Sequence, residues 1–232
     1  MSLIPTKKSP IVNAASAQCI TIIGAPKIGK STFASQFPNA LFAATEPGLN
    51  FLEVYETSIR GWKEFTTLCR ELSKDPKHIE TLVIDTVDLL YIQCVAHHCT
   101  EHGIAHPSEL NYGKGFSLIS NDFRRVLSLL TLLQTKAKNP LGLVFITHAK
   151  EVEVDTRIGK TMQWRSTLPQ SAANIVLGMS EMILFLDVEN NERLIRTNKS
   201  ERWTAGDRTG RLPEKLPLSY EALTAALEAN NE

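Results

Sequence analysis

One octapeptide, Gly24-Ala25-Pro26-Lys27-Ile28-Gly29-Lys30-Ser31, sharply narrows the architectures open to this sequence. It matches G-x-x-x-x-G-K-[ST] at every fixed position. Such a loop has to curl until successive backbone N–H groups face one anion, and glycine permits the curl. It works only between a strand and a helix. Cys19-Ile20-Thr21-Ile22-Ile23 supplies a short apolar, β-branched run of the buried-strand kind. Ser31 to Gln36 supplies a short helix that stops before Pro38. In that setting residues 24–32, ending with Thr32, form a phosphate cradle helped by the helix's N-terminal partial positive charge. Lys30 then reaches the β- and γ-phosphates and the Ser31 hydroxyl ligates Mg²⁺.

The remaining pattern agrees with an α/β chain. Ala40 to Thr45 is a second apolar run, ended by Glu46-Pro47-Gly48, and Thr81 to Ile84 is a third, ended by Asp85. Leu141 to Thr147 is a fourth. Helical spacing covers Gly61 to Leu72, Val87 to His102 and Phe116 to Thr135, with a loop between Gly103 and Gly115. Val152 to Trp164 turns around Gly159 as a hairpin, and Ile183 to Leu186 and Leu194 to Thr197 flank Asn190-Asn191. Ser219 to Ala229 is an acidic amphipathic helix. The expected fold class is α/β: a mainly parallel sheet flanked by helices, with antiparallel strands added at one edge. Residues 1–17 are expected as an arm and residues 18–232 as a single domain.

Composition removes several function classes. The 232 residues are 43% hydrophobic and 22% charged, which excludes wholesale disorder. Lys plus Arg and Asp plus Glu both count 25, so no positive surplus supports polybasic phosphate binding. Four irregularly spaced cysteines do not form a secreted disulfide framework. The start lacks the apolar stretch of a signal peptide, and no run is long enough to span a membrane. A cytoplasmic protein is expected.

Chemistry at a phosphate site needs a carboxylate for Mg²⁺ at the end of another buried strand, and Asp85 fits. Its position before the Val87 helix also suits a capping role, which is compatible with metal binding. Hydrolysis further needs a group to orient and deprotonate water. Thr86 rules out a glutamate directly after Asp85. Glu46, at a strand's C-terminal end, is the leading candidate because ligands in open α/β sheets bind at those ends; Asp88 competes with it. His148 ends the fourth strand and is placed to touch the γ-phosphate, unless it is simply a hydrogen-bonded strand-end histidine.

In this order the residues resemble RecA-like ATPases. They are most similar to the phage and prophage nucleotide-binding AAA-domain group, which includes RecA-core single-strand annealing proteins. The carrying segments are Gly24 to Pro38, Leu41 to Gly48, Thr81 to Asp85, Tyr112 to Gly115, Val144 to Lys150, and Gly206 to Pro213. The resemblance implies a RecA-like core using ATP and Mg²⁺, with Glu46 activating water and His148 sensing the γ-phosphate. RecA-like recombinases usually carry glutamine at that sensor position. It also implies a homo-oligomer handling single-stranded DNA in the host cytoplasm, with a single-strand-binding protein as a further partner. DNA would meet the loop holding Tyr112 and Lys114, and the segment holding Lys150, Arg157, Lys160, Trp164 and Arg165. Glu151, Glu153 and Asp155 nearly cancel that second patch, which also suits a solvated hairpin. A basic finger from the next protomer would come from Lys199, Arg202 or Arg208.

Two other patterns need weighing. Asn198-Lys199-Ser200-Glu201 resembles a guanine-reading motif but ends in Glu, so GTP specificity is not expected. Cys94, His97, His98, Cys99, His102 and His106 crowd together, and i,i+4 spacing offers zinc ligands on one helix face, though no C-x-x-C pair is present. Two competing functions follow from the same residues. One is a small-molecule kinase clamping phosphate with Arg202, Arg208 and Arg211; the other is a non-hydrolysing nucleotide switch.

Overall fold

The computed structural model describes residues 6, 14–136, 140–156 and 159–229. Apolar runs become strands buried along their whole length: β1 (Cys19–Gly24), β2 (Ala40–Ala44) and β4 (Thr81–Asp85). Between them lie α1 (Lys30–Ala34), the edge strand β3 (Tyr55–Ser58) and α2 (Trp62–Lys74). Then come α3 (Val87–His102), two short 3-10 turns, α4 (Lys114–Lys136), β5 (Gly142–Thr156) and β6 (Gly159–Ser166). The chain closes with α5 (Gln170–Met179), β7 (Met182–Glu189), β8 (Glu192–Arg196), β9 (Gly206–Asp207), β10 (Lys215–Pro217) and α6 (Tyr220–Ala229).

The sheet order is β10-β8-β7-β1-β5-β4-β2-β3, with β6 paired to β5 and β9 to β7. From β7 to β3 neighbouring strands run parallel, whereas β8 and β10 are antiparallel additions at one edge. This is the expected fold class. Period-two alternation splits the strands between two helical layers. Leu41, Ala43, Leu82, Ile84, Leu143 and Phe145 face α2, α3, α4 and α5. Ile20, Ile22, Phe42, Val83, Val144 and Ile146 face α1 and α6. Phe33, Phe42, Phe65, Phe123 and Phe145 are fully buried, each contributing about 1.5–3 kcal/mol of burial free energy.

Several boundaries differ from the sequence-based expectation. The fourth strand and the hairpin's first arm are one continuous strand, because β5 leaves the central sheet after His148 and pairs with β6 from Ala149 onward. The loop between α3 and α4 holds 3-10 turns at Pro107–Glu109 and Asn111–Gly113. Strand β3 and helix α5 lay outside the expected elements. Of the expected arm, Ala15–Ala17 forms a 3-10 turn whose Ala15 packs into the α1/α6 layer. Arg157 and most of residues 1–13 lie outside the described residues.

Candidate functional site

Parallel pairing brings the chemistry to one edge of the sheet. Gly24, the last residue of β1, sits in register with His148 on β5, and Asp85 on β4 sits in register with Ala44 on β2 and Ile146 on β5. Glu46 follows β2 by two residues. The loop at 24–31 leaves β1 and enters α1 through Gly29, whose φ of 110° lies in the left-handed region that favours glycine. A Cβ at Gly24 would come within 2.9 Å of Ile28 Cγ2, so the first motif glycine is held by close packing.

Lys30 is 6% exposed, and its ammonium donates to the loop's own carbonyls, Gly24 O at 3.0 Å and Ala25 O at 2.9 Å. Among the described residues it makes no carboxylate ion pair. Burial lowers its pKa, against the nearby charges of Asp85, Asp88 and Glu46. A buried ammonium satisfied only by carbonyls is a donor set that an anionic phosphate can take over. Ser31 Oγ donates to Asp85 Oδ2 at 2.6 Å, so the expected Mg²⁺ hydroxyl and carboxylate already touch. Asp85 is itself buried, which raises its pKa despite the Ser31 hydrogen bond and the Lys30 charge. The donor set therefore suits Mg²⁺ with a polyphosphate: Ser31 and Asp85 for the metal, residues 24–32 for the phosphates.

Beside this pair lies a carboxylate–imidazole–carboxylate array. His148 Nε2 is 3.7 Å from Glu46 Oε1, and His148 Nδ1 is 3.1 Å from Asp88 Oδ2. Asp88 Oδ2 also accepts the His148 backbone N–H at 3.3 Å and the Thr167 hydroxyl at 2.6 Å. Asp88 Oδ1 is buried with no hydrogen-bond partner among the described residues. Asp88, its side chain 12% exposed, thus holds its neighbours through Oδ2 alone, while Glu46, whose side chain is 36% exposed, opens to the cleft. Burial raises the Glu46 pKa; His148 and Lys30 act to lower it, and Asp85 and Asp88 to raise it. Thr45 braces the region, accepting the Thr86 N–H at 2.7 Å and donating to Thr86 O at 3.0 Å.

A family model described as "AAA domain" matches residues 16–209, which takes in every one of these groups. The chain belongs to that family. Membership, with the phosphate loop, makes this AAA-domain protein a nucleotide-binding ATPase of the P-loop type. No curated protein matches it. Among solved structures it is similar to the flagellar accessory protein FlaH from Methanocaldococcus jannaschii, at 12% identity over 86% of this chain and 84% of that one, with a TM-score of 0.43.

Other expected groups of the AAA-domain protein lie elsewhere. Lys199 lines a cavity of about 670 Å³ with Trp203, between the β5–β6 hairpin and the segment after β8. Arg202 is exposed on that segment, and its carbonyl accepts Trp164 N–H at 2.7 Å. Arg208 donates to Gly178 O at 2.7 Å, at the end of α5. Tyr112 is 98% exposed, with Lys114 exposed beside it. Lys150 and Arg165 pair directly across the hairpin, and Lys160 is bridged to Glu153. Trp164 packs beside Ile23 and Phe185, so its ring is partly withdrawn from solvent.

The Cys/His cluster does not converge as one set. His97 meets Glu101 and His106 caps the first 3-10 turn; of the six, Cys94 and His98 come together with Asp122 of α4, and Cys99 and His102 are not part of that group. Asp122 already accepts from Trp62 Nε1 at 2.7 Å, from His98 Nε2 at 3.1 Å and from Arg125. Arg193, which the sequence shows only as the first cation of the basic stretch Arg193 to Arg211, sits at the phosphate loop: a Cβ at Gly29 would lie 3.3 Å from its Nη1. No spacing rule links residue 193 to residue 29.

Proposed function

We propose that this AAA-domain protein hydrolyses Mg-ATP and couples hydrolysis to single-stranded DNA, as a homo-oligomer serving phage-type recombination or annealing in a bacterial cytoplasm. One observation carries the reading: Lys30, the Ser31–Asp85 pair, and the Glu46–His148–Asp88 array share one edge of the sheet. Residues 24–32 hold the phosphates and Lys30 exchanges its loop carbonyls for them. Ser31 and Asp85 would hold Mg²⁺, which would supply charge neutralisation to the phosphates when bound. Glu46 orients the attacking water and takes its proton. His148, anchored by Asp88, reads the γ-phosphate from the strand that runs on into the hairpin.

The DNA part rests on the hairpin. Lys150 and Arg165 stand opposite each other with no carboxylate ion pair among the described residues. Like charges directly across a strand pair repel, and an inserted phosphate removes that repulsion. Single strands also need exposed rings, and Tyr112 offers one on the preceding loop. Lys199 and Arg202 are the candidates for a finger into the neighbouring protomer; a single-strand-binding protein is the further partner.

The test is ATP turnover by purified protein with and without single-stranded DNA at two salt concentrations. Turnover that rises with DNA, and rises less at high salt, supports the reading. ATP binding without turnover under both conditions favours a nucleotide switch instead. Turnover that needs an acceptor metabolite and ignores DNA favours a kinase.

A further inference from the structure

Strand β8 reaches the phosphate loop from the side opposite Asp85 and Glu46. In the sheet, β1 is followed by β5, β4 and β2 in one direction, carrying His148, Asp85 and the approach to Glu46. In the other direction come β7, β8 and β10. Leu186 of β7 is in register with Gly24, and a Cβ at Gly24 would lie 3.2 Å from Leu186 Cβ. Arg193, near the start of β8, is in register with Val188 of β7. Alternation puts Arg193 on the same face as Ile195, which is buried in the α1/α6 layer.

The result is a wall beside Gly29. A Cβ there would stand 3.3 Å from Arg193 Nη1 and 3.4 Å from Leu218 Cδ2. Arg193 is exposed, and no ion pair to it is found among the described residues. Leu218 is half-buried and packs on the layer that contains Phe33 and Ile195. An uncommitted guanidinium against a phosphate loop is matched to phosphate oxygens. The adjoining leucine offers an apolar surface to a planar ring.

Resting on the nucleotide-binding reading, we propose that Arg193 and Leu218 hold the nucleoside end of the bound nucleotide, Arg193 on the α-phosphate and Leu218 under the base. The polyphosphate end lies toward Asp85 and Glu46, across β5 and β4. Arg193 therefore serves nucleoside di- and triphosphates alike, and it contributes to affinity rather than to the chemical step.

Calorimetry of wild type, Arg193→Ala and Arg193→Lys with Mg-ADP, Mg-ATP and Mg-pyrophosphate tests this arrangement. Arg193→Ala should weaken ADP and ATP by the same factor, on the order of tenfold, and leave pyrophosphate binding unchanged. Arg193→Lys should recover part of the affinity. Circular dichroism should be unaltered, since the side chain is exposed. Unchanged ADP and ATP affinities overturn the Arg193 assignment alone. A loss confined to ATP, or an equal loss for pyrophosphate, also overturns it by putting Arg193 at the polyphosphate end. A wild-type protein that takes up no nucleotide overturns the nucleotide reading itself, and the Arg193 assignment with it.

Discussion

Burial and mutual repulsion set the behaviour of the charged groups at the loop. Glu46 is held above the usual carboxylate range, first by burial and then, against the opposing charges of His148 and Lys30, by Asp85 and Asp88. A base works only when deprotonated. Turnover should therefore fall on acidification through a pH above that of an ordinary glutamate. Removing the lowering charge in His148→Gln should move that limb higher still, which pH–rate profiles at saturating ATP would read. Glu46→Gln should keep ATP affinity in calorimetry and lose about 10²–10⁴-fold in turnover; unchanged turnover would move the base elsewhere. Asp85 carries the mirror-image cost. Its folded-state pKa is raised by burial, so the folded chain loses stability as pH rises from the unfolded carboxylate's pKa through the higher folded one. Asp85→Asn should therefore melt higher than wild type without ligand at neutral pH, by roughly 2–4 °C for each kcal/mol relieved, while losing the Mg²⁺ dependence of ATP binding. Under the proposed function, stability is given up here for a carboxylate that can take Mg²⁺.

At the scale of elements, legibility followed burial. Strands β1, β2 and β4 are buried along their length and read as apolar runs, and helices α2 and α4 as periodic segments. Edge strand β3, with the sequence Tyr55-Glu56-Thr57-Ser58, is mostly exposed and polar, so it has no apolar signature. Helix α5 merges in the sequence with β7 as one apolar stretch from Ile175 to Leu186, which only Ser180 and Glu181 interrupt. The continuity of β5 through His148 into the hairpin is a tertiary fact, set by which strands are available to pair on either side of it. The motif residues lay in short, ordered segments and were legible, whereas Arg193 reaches Gly29 only because β8 folds beside β7. That continuity makes the hairpin testable as a DNA arm. Replacing Lys150 and Arg165 together by Ala should weaken single-strand binding and flatten the plot of log affinity against log salt by about 0.7 for each phosphate no longer neutralised. An unchanged slope in fluorescence anisotropy would return the pair to solvent.

Across the whole molecule, the sheet separates two unequal layers, and the larger one contains a polar knot. Asp122 on α4 ties together Trp62 of α2, His98 of α3 and Arg125 of its own helix. Burial alone would raise its pKa, but the hydrogen bonds from Trp62, Arg125 and His98 outweigh that and hold it below the usual carboxylate range. Stability from this group is present above the unfolded carboxylate's pKa and is lost as pH falls through the lower folded one. Asp122→Ala leaves the Trp62 and His98 donors unpaired in a closed interior. It should cost about 2–3 kcal/mol in urea unfolding and remove part of the chain's acid sensitivity, with nucleotide affinity intact because the sheet edge is untouched. Asp122→Asn, which keeps an acceptor, should fall between the two. The same three helices bring Cys94 near His98 and Asp122, so a structural zinc ion and a hydrogen-bonded carboxylate make opposite forecasts. A carboxylate whose oxygens already take three donors leaves little for a metal, and the neighbouring Arg125 guanidinium repels one. Chelation should therefore leave the melting temperature unchanged, and a fall on chelation, restored by zinc, would reassign Asp122 from tying helices to binding metal.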